Sequence, residues 1–348
     1  MKNRYSISVF AAVLLASFSF SAFAGNEQRA GQAGAMELLI NPWTRSAGFG
    51  SINSAGVRGI EAQFLNVAGT AFTEGTEVVF SHTEWFADAG ISIDAAGLTR
   101  KVGQNGVLGI SLMSMGFGDI EITTTELPDG GLGTYSPQFI NMGISYAQKF
   151  TENIYGGVNI KLVNQSLPDV SALGMCFDAG IQYVTGNEEQ FKFGIALRNV
   201  GPPMRFSGDG LAFKVNIFNP NGEYTFTAEQ RSNSFELPSQ LNIGASYDIL
   251  IPNQRLTLAG NFTSNSFTKD QIGLGAEWAY RELLMIRGGY VYENGGLTEA
   301  DRTTIFTGVN LGATFEVPLG AGTFAIDYAY RQTTLMGGIN SIGARLSF

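Results

Sequence analysis

Apolar and polar residues alternate along most of this chain, and this two-residue period limits its fold more than any other feature. Near the C-terminus, one face of an extended chain would carry four apolar side chains, Ile342, Ala344, Leu346 and Phe348. The opposite face would carry small or polar residues, among which Arg345 is the largest. Successive side chains of a β-strand point to opposite faces, so this pattern indicates strands with one apolar and one polar face.

The alternation divides the chain after residue 75 into fourteen predicted strands: 76–86, 88–101, 106–118, 137–150, 153–166, 171–185, 190–200, 238–250, 254–266, 269–281, 283–293, 303–317, 322–334 and 338–348. Each is long enough to cross a bilayer, since a tilted membrane strand needs ~9–11 residues. An even number of antiparallel strands also closes a bacterial outer-membrane barrel. The predicted fold is therefore all-β, a fourteen-stranded antiparallel transmembrane β-barrel over residues 76–348.

A soluble β-sandwich would show the same alternation, with its apolar faces in the core. Three features favour the barrel instead. The polar faces of the predicted strands carry mostly Gly, Ser, Asn and Thr rather than Lys and Glu, which suits a crowded lumen better than an open solvent face. Predicted turns alternate between short and long, the longest covering 119–136 and 201–237, as in outer-membrane barrels. Aromatic residues form a predicted interface girdle at the short-turn ends of the strands, at Tyr146, Phe150, Tyr183, Phe191, Tyr247, Trp278, Phe315, Phe324 and Phe348.

The first 24 residues have the pattern of a secretory signal peptide. Lys2 and Arg4 precede an apolar run over residues 9–15, and Ala22 and Ala24 supply the small residues that signal peptidase needs. Beyond this signal, no uncharged apolar run reaches the ~18–20 residues of a transmembrane helix. We therefore expect export to the outer membrane and insertion through the barrel strands, in contact with outer-membrane lipid.

Residues 25–75 do not follow the alternation and contain two short apolar pieces, 36–40 and 64–65. Fourteen strands enclose a lumen too wide for barrel side chains alone to fill. We therefore predict that this segment is a plug inside the barrel, because its apolar pieces disfavour the alternative of a disordered periplasmic tail. Charged plug residues would then face lumen charges, with Arg45, Arg58 and Glu61 opposite residues such as Asp94, Asp248, Glu277 and Asp327.

Little in the sequence points to catalysis. His82 is the only histidine, so a Ser-His-Asp triad or a multi-histidine metal site is nearly excluded, and a structural or lumenal position is favoured for it. Cys176, the only cysteine, shares a polar face with Asp178 and is interpreted as a small filler rather than a nucleophile. The formal net charge of −9 argues against nucleic-acid binding. We predict no enzyme activity, no catalytic residue, no metal and no cofactor.

Three N-terminal stretches carry a resemblance to a known family: residues 30–40 (AGQAGAMELLI), 45–50 (RSAGFG) and 61–69 (EAQFLNVAG). They resemble the N-terminal signature of PorV/PorQ-type proteins of Bacteroidota, which are relatives of the long-chain fatty-acid transporter barrels. The glycine-rich element of that signature is matched loosely by Arg45, Gly48 and Gly50. Its Asn-Pro-Ala-Gly element is matched by Asn66, Ala68 and Gly69, and Val67 departs from it by replacing the proline.

The resemblance implies an outer-membrane component of the type IX secretion system. PorV-like members accompany a large translocon barrel, receive exported cargo by its C-terminal domain and carry it to the surface attachment machinery. On that interpretation the chain is a non-enzymatic docking or shuttle protein. The alternative is an outer-membrane channel for hydrophobic solutes such as long-chain fatty acids. A channel needs an apolar pocket beneath the barrel mouth and a gap or kinked strand in the wall, whereas a docking protein needs neither.

The long predicted loop over residues 201–237 contains a hairpin pattern. Apolar residues alternate on both sides of its turn at 219–222, at Phe213, Val215, Ile217, Tyr224 and Phe226. The edges of a projecting hairpin can accept a strand from another protein. We therefore predict that these five residues bind a partner, the alternative being a loop that folds over the barrel mouth and closes it.

Overall fold

The structure, a computed structural model, describes residues 27–219, 222–295, 302–334 and 337–348. The predicted signal peptide lies outside these described residues. Fourteen strands form a closed barrel, and two small two-stranded sheets lie in its long loops. Every neighbouring pair in the barrel is antiparallel.

The barrel strands are β1 (Thr76–Phe86), β2 (Ile91–Val102), β3 (Gly106–Gly116), β6 (Gln138–Lys149), β7 (Ile154–Ser166), β8 (Ser171–Thr185), β9 (Phe191–Val200), β12 (Gln240–Ile251), β13 (Gln254–Asn265), β14 (Gln271–Tyr280), β15 (Leu284–Glu293), β16 (Phe306–Leu319), β17 (Gly322–Thr333) and β18 (Ile339–Ser347). The loop sheets pair β4 (Ile120–Glu121) with β5 (Thr134–Tyr135) and β10 (Ala212–Asn219) with β11 (Gly222–Glu229). Within the described ranges there are two short α-helices, α1 (Thr44–Gly48) and α2 (Ala62–Leu65). Short 3₁₀ segments cover Glu27–Arg29, Met36–Leu39, Val67–Phe72, Ala87–Ala89 and Asp209–Leu211.

The predicted fold class is confirmed, and all fourteen predicted strands are present. The largest differences between predicted and observed strands are at the N-terminal ends of two of them. Strand β2 begins at Ile91 rather than 88, and β16 begins at Phe306 rather than 303. In the first case the 3₁₀ turn at Ala87–Ala89 takes the place of predicted strand residues. Among the described residues, none of the helices has both the length and the hydropathy of a membrane-crossing helix.

The apolar face of each barrel strand points outward and the polar face points into the lumen. On β14, Leu274 is 67% exposed while Glu277 is 6% exposed, and on β18 the same contrast separates Ile342 (59%) from Arg345 (9%). A soluble protein would bury its large apolar side chains, since exposing them to water is costly. The apolar outer surface therefore fits a lipid environment, as expected for an outer-membrane barrel.

The first and last barrel strands close the barrel by pairing with each other. Val79 lies opposite Arg345 and Thr83 lies opposite Ser341 in this pairing. At the short-turn end, the Thr76 amide donates to the Phe348 carbonyl at 2.7 Å and the Phe348 amide donates back to Thr76 at 2.9 Å. No strand edge is left open in the barrel, which removes the sites at which sheets usually aggregate.

Residues 27–75, called the N-terminal segment below, lie inside the barrel. Helix α1 contacts β1 and β15 to β18, whereas the 3₁₀ turn after α2 contacts β3 and β6 to β8. Polar side chains join the segment to the strands, as where Gln63 Nε2 donates to Ser145 Oγ at 2.6 Å and Asn66 Nδ2 donates to the Ile181 carbonyl at 3.1 Å. The segment therefore divides the lumen.

Candidate functional site

Two cavities lie at opposite ends of the lumen, separated by the N-terminal segment. The outer cavity has a volume of about 460 Å³ and is lined by residues near the long-loop ends of the strands, including Trp85, Val291 and Phe306. The inner cavity has a volume of about 510 Å³ and is lined by residues near the short turns, including Glu189 and Glu282. Both fall in the size range of small-molecule sites, ~300–1,000 Å³.

The outer cavity has a mainly apolar wall. Its large apolar side chains come from the segment and from several strand ends, and include Leu39, Ile40, Phe64, Trp85, Val291 and Phe306. Trp85 packs edge-on against Phe306, with ring centroids 5.8 Å apart. An enclosed apolar surface of this size favours an apolar ligand, because binding removes that surface from water.

Two arginines contribute the cationic groups that are most deeply buried in the wall of the outer cavity. Arg331 on β17 is 6% exposed and lies between two aromatic rings, 5.2 Å from the centroid of Trp85 and 5.3 Å from that of Phe306. Arg198 on β9 is 4% exposed, stacks 3.9 Å over Phe64 and donates to Gln240 Oε1 at 2.8 Å. Neither guanidinium forms a salt bridge within the described part of the chain.

Arg331 has fewer hydrogen-bond acceptors than Arg198, for which Nε alone is buried without a partner among the described residues. Nε and Nη2 of Arg331 are buried and have no hydrogen-bond partner among the described residues. A buried guanidinium without acceptors is costly, since water is removed and nothing replaces it. Arg331 is therefore equipped to bind an anionic group that enters the outer cavity.

The barrel wall is irregular beside the outer cavity. Pairing between β16 and β17 is interrupted between Phe306 and Asn310, and pairing between β15 and β16 ends at Tyr290 and Val309. Gly308 at this break has a φ of +97°, and a Cβ atom there would lie 2.3 Å from the Val291 carbonyl oxygen. Irregular strands of this kind often lie next to functional sites, where they redirect the chain.

The inner cavity is charged rather than apolar. Its central carboxylate, Glu277, is 6% exposed and accepts from Arg287 Nε at 2.8 Å and from Arg255 Nη2 at 3.1 Å. Arg45 of the N-terminal segment lies 3.9 Å from the same carboxylate. Arg287 has a fully buried side chain and also donates to Thr314 Oγ1 at 2.6 Å. This network fixes the segment to β13, β14 and β15 and gives the inner cavity a charged lining.

Glu61 is a buried carboxyl of the N-terminal segment, next to the inner cavity. It is 4% exposed, and its Oε2 accepts from the Ser46 amide at 2.9 Å. Burial, with a smaller contribution from the Asp327 carboxylate, raises the pKa of Glu61 from 4.5 to about 7. The folded protein therefore keeps this proton at pH values at which the unfolded chain has released it.

We expect the stability of the protein to fall as pH rises between these two pKa values, and Glu61→Gln to reduce that slope. Unfolding releases the Glu61 proton in this range, so a higher pH favours the unfolded chain, by ~3 kcal/mol between about pH 4 and about pH 8. Glutamine keeps an oxygen that can accept from Ser46 but does not titrate. Urea unfolding in detergent at both pH values measures the difference.

The matched control is Glu189→Gln, because Glu189 is an exposed carboxylate that pairs with Arg58 of the same segment at 2.6 Å. This variant should keep the pH slope of the wild-type protein. An unchanged slope in the Glu61→Gln variant would show that Glu61 is not the titrating group.

The residues of the N-terminal motif hold the segment in the barrel rather than line the outer cavity, with one exception. Gly48 packs against β16, where an added Cβ would lie 2.8 Å from the Gly312 Cα. The Asn66 side chain accepts from the Ala68 amide at 3.3 Å, and a Cβ on Gly69 would lie 2.1 Å from the Val57 carbonyl oxygen. Arg45 lines the inner cavity, and Gly50, with a φ of +70°, lines the outer one.

The predicted hairpin forms as β10 and β11. Three cross-strand pairs give it one apolar face, Phe213 with Ala228, Val215 with Phe226 and Ile217 with Tyr224. Four of these side chains are about half exposed, Phe213 (50%), Ile217 (50%), Tyr224 (47%) and Phe226 (53%). None of them lines the outer cavity. The role of the hairpin in partner binding stays a prediction.

The prediction that Asp94 is a lumen charge is wrong about the side of the wall, and His82, for which a structural or lumenal position was predicted, is not lumenal. Both side chains lie on the outward face, where His82 Nδ1 and Asp94 Oδ1 are 2.7 Å apart and the side chains are 45% and 50% exposed. Cys176 is fully buried and faces the interior. Within the described residues, no group of three or more His, Cys, Asp or Glu side chains could hold a metal ion.

No protein-family model and no curated protein matches this sequence. Solved structures with the same fold do match. The CymD monoaromatic hydrocarbon channel is similar with a TM-score of 0.53 and 15% identity, over 89% of this chain and 98% of that chain. The Pseudomonas putida toluene transporter TodX has a TM-score of 0.54 and 12% identity, over 84% and 94%. The Ralstonia pickettii toluene transporter TbuX has a TM-score of 0.50 and 11% identity, over 94% and 98%.

At these identities the likeness establishes the fold. The chain shares the closed-barrel fold of these three proteins, which are described as a channel for monoaromatic hydrocarbons and as transporters of toluene. The PorV/PorQ-type assignment is not confirmed by these matches.

Proposed function

We propose that this protein is an outer-membrane channel that takes up small hydrophobic molecules. The observation that carries the proposal is the outer cavity, an apolar pocket of about 460 Å³ beneath the long loops. Such a pocket is what a channel needs and a docking protein does not. Similarity of fold to a monoaromatic hydrocarbon channel and to two toluene transporters supports the same choice.

The charged inner cavity at the short-turn end makes it more favourable for a hydrophobic solute to leave the lumen through the barrel wall. A hydrophobic solute in the outer cavity would meet the N-terminal segment and then the charged inner cavity, where it would have to separate ion pairs such as that of Glu277 with Arg287. The break in strand pairing at Gly308 lies in the barrel wall beside the outer cavity. We propose that solute leaves by this break, because it avoids the charged network.

Arg331 adds a preference for solutes with an anionic end. Its unpartnered Nε and Nη2 lie among the aromatic residues of the outer cavity. A monocarboxylate with an apolar chain would satisfy the guanidinium and fill the apolar wall at once. Long-chain fatty acids belong to this chemical class, so they are the first solutes to test, with toluene as a neutral comparison.

The type IX docking role stays a prediction that rests on the N-terminal resemblance. The solved structures with this fold support the channel alternative rather than a secretion component. The exposed apolar face of the β10–β11 hairpin is the feature that a docking role would use.

Filling the outer cavity tests the channel directly. Gln271→Trp places a large ring in the lining, at an inward-facing residue at the start of β14. We expect this variant to bind dodecanoate at least ~10-fold more weakly, because the ring occupies the volume that the ligand needs. Calorimetry of the detergent-solubilised protein measures the affinity.

The neighbouring residue supplies the control. Ile272 is 48% exposed on the outward face of the same strand, so Ile272→Trp changes the lipid-facing surface and leaves the cavity unchanged. It should bind like the wild-type protein. Equal affinities in all three proteins would contradict the assignment of the outer cavity as the binding site.

A further inference from the structure

A third, smaller cavity lies between the N-terminal segment and the barrel wall. It has a volume of about 50 Å³ and is bordered by helix α2 and by strands β3, β6 and β7. Three amide side chains line it, Gln63 on α2, Asn141 on β6 and Asn159 on β7, and they are 3%, 8% and 1% exposed. A polar cavity of this size has room for a small ion together with water.

The oxygen atom of each of these amides is buried and has no hydrogen-bond partner among the described residues. The amide nitrogens are engaged, since Gln63 Nε2 donates to Ser145 Oγ and Asn159 Nδ2 donates to Asp178 Oδ2 at 3.1 Å. A buried oxygen without a partner is costly, because it has lost water and gained nothing in exchange. The three side chains are therefore equipped to bind a group that attracts oxygen atoms.

Two of these oxygens and one hydroxyl converge on the space in front of Gly143, which is an inward-facing residue of β6. A Cβ atom at this position would lie 3.2 Å from Gln63 Oε1, 3.3 Å from Asn159 Oδ1 and 2.7 Å from Ser111 Oγ. The glycine therefore keeps open a space that is surrounded by oxygen atoms from the N-terminal segment, β3 and β7.

The charged groups that line the small cavity leave one negative charge without a partner. Lys161 is paired with Asp178, whose carboxylate lies 2.9 Å from the ammonium group, so these two charges compensate each other. Glu37 of the N-terminal segment is 4% exposed, and its carboxylate accepts from the neutral Gln165 Nε2 at 2.9 and 3.0 Å. It forms no salt bridge within the described residues. A nearby cation would stabilise such a buried carboxylate.

We propose that the small cavity binds one monovalent metal cation, sodium or potassium, which ties the N-terminal segment to β3, β6 and β7. Oxygen atoms are the ligands that hard cations prefer. Neutral oxygens with one uncompensated carboxylate nearby match a single positive charge, whereas the affinity of calcium sites depends on several charged ligands. A single water molecule would satisfy fewer of the oxygens, because it has two protons to donate and the amides present three acceptors.

This inference goes beyond the proposed channel and does not rest on it. The Glu277 network attaches α1 of the N-terminal segment to the strands through Arg45, and the cation would attach α2 to a different part of the wall. Stability in the presence of a cation is measured without a hydrophobic ligand. Its outcome is therefore independent of whether dodecanoate binds in the outer cavity.

Urea unfolding in a non-ionic detergent at constant ionic strength tests the site. Sodium or potassium chloride replaces N-methylglucamine chloride, whose cation is too large for the cavity. Burial raises the pKa of Glu37 from 4.5 to about 7, so the buffer is kept at about pH 8, where the carboxylate is charged. We expect the equilibrium constant for unfolding to fall ~10-fold for each tenfold rise in the bound cation above its dissociation constant. Equal stability in all three salts would overturn the inference and would mean that water occupies the cavity.

Gly143→Ala tests whether the cation binds in this cavity. The added methyl group occupies the space between the oxygens, so the variant is expected to lose the dependence of stability on the cation. The matched control is Gly116→Ala on β3, where an added Cβ has no heavy atom within 4 Å. The control should keep the dependence of the wild-type protein. A Gly143→Ala protein that also keeps it would show that the cation binds elsewhere, which would overturn the inference.

Asn141→Asp is expected to have the opposite effect, which a variant that merely misfolds would not show. Aspartate has nearly the same size as asparagine and adds a negative charge to the lining of the cavity. The cation concentration at which stabilisation is half complete should fall ~10-fold, because the added charge attracts the cation. Heat-modifiable migration on gels confirms that the barrel has formed. An unchanged or higher concentration in the folded variant would contradict a cation in this cavity.

Discussion

Replacing Glu277 with glutamine is expected to lower the free energy of unfolding by ~3–5 kcal/mol. Glu277 is 6% exposed and is the carboxylate shared by Arg287, Arg255 and Arg45. Glutamine has nearly the same shape but no charge, so Arg287, with a fully buried side chain, would lose its closest counter-charge. Asp327 is 4.0 Å from Arg287 Nη1, too far to replace it fully. Urea unfolding of the protein in detergent or lipid measures the change.

The control uses the other carboxylate that binds Arg255. Glu282 accepts from Arg255 Nε at 2.9 Å, but its side chain is 55% exposed. Exposed ion pairs contribute little, so Glu282→Gln should cost no more than ~1 kcal/mol. If the free energy of unfolding falls by the same small amount in both variants, the buried network does not stabilise the barrel and its charges are hydrated.

Replacing Arg331 with methionine is expected to weaken dodecanoate binding by ~10- to 100-fold. A hydrogen bond to a charged group contributes ~1.5–3 kcal/mol, and ~1.4 kcal/mol corresponds to a tenfold change in affinity. Methionine keeps an apolar side chain of similar length between Trp85 and Phe306, so the shape of the outer cavity is largely preserved. Titration calorimetry with dodecanoate measures the loss.

An uncharged ligand of matched length distinguishes the loss of the interaction with the carboxylate from a change in packing of the cavity. Dodecanol has the same chain without the carboxylate, and its affinity should be equal in the wild-type and Arg331→Met proteins. A parallel loss for dodecanol would mean that the substitution disturbs the cavity. Unchanged binding of dodecanoate would mean that Arg331 does not contact the carboxylate.

The barrel itself could be predicted from the sequence because each strand repeats the same local signal. Leu274 and Glu277 fall on opposite faces of β14 as their spacing requires, whatever the rest of the chain does. His82 and Asp94 were misplaced for a related reason. The prediction assumed that polar residues face the lumen, whereas their strand positions put them on the same outward face as Phe80 and Leu98.

The outer cavity could not be predicted in the same way. Trp85, Val291, Phe306 and Phe64 come from distant parts of the chain, and only the closed barrel brings them together. Arg331 is a candidate ligand-binding residue because two of its nitrogens have no hydrogen-bond partner among the described residues. The spacing of residues in the sequence does not reveal this. The motif residues that the sequence did single out, such as Asn66 and Gly69, fix the segment in place because their signal reflects local backbone geometry.

The pairing of β1 with β18 has a consequence for biogenesis. The N-terminal segment precedes β1 in the chain, yet strands surround it on all sides once Thr76 and Phe348 are joined. A segment that entered after this seam had formed would have to pass through one end of the barrel, between the turns or loops there, so we expect it to be enclosed while the barrel closes. We therefore expect the N-terminal segment to enter the lumen during assembly and to stay there for the lifetime of the folded protein.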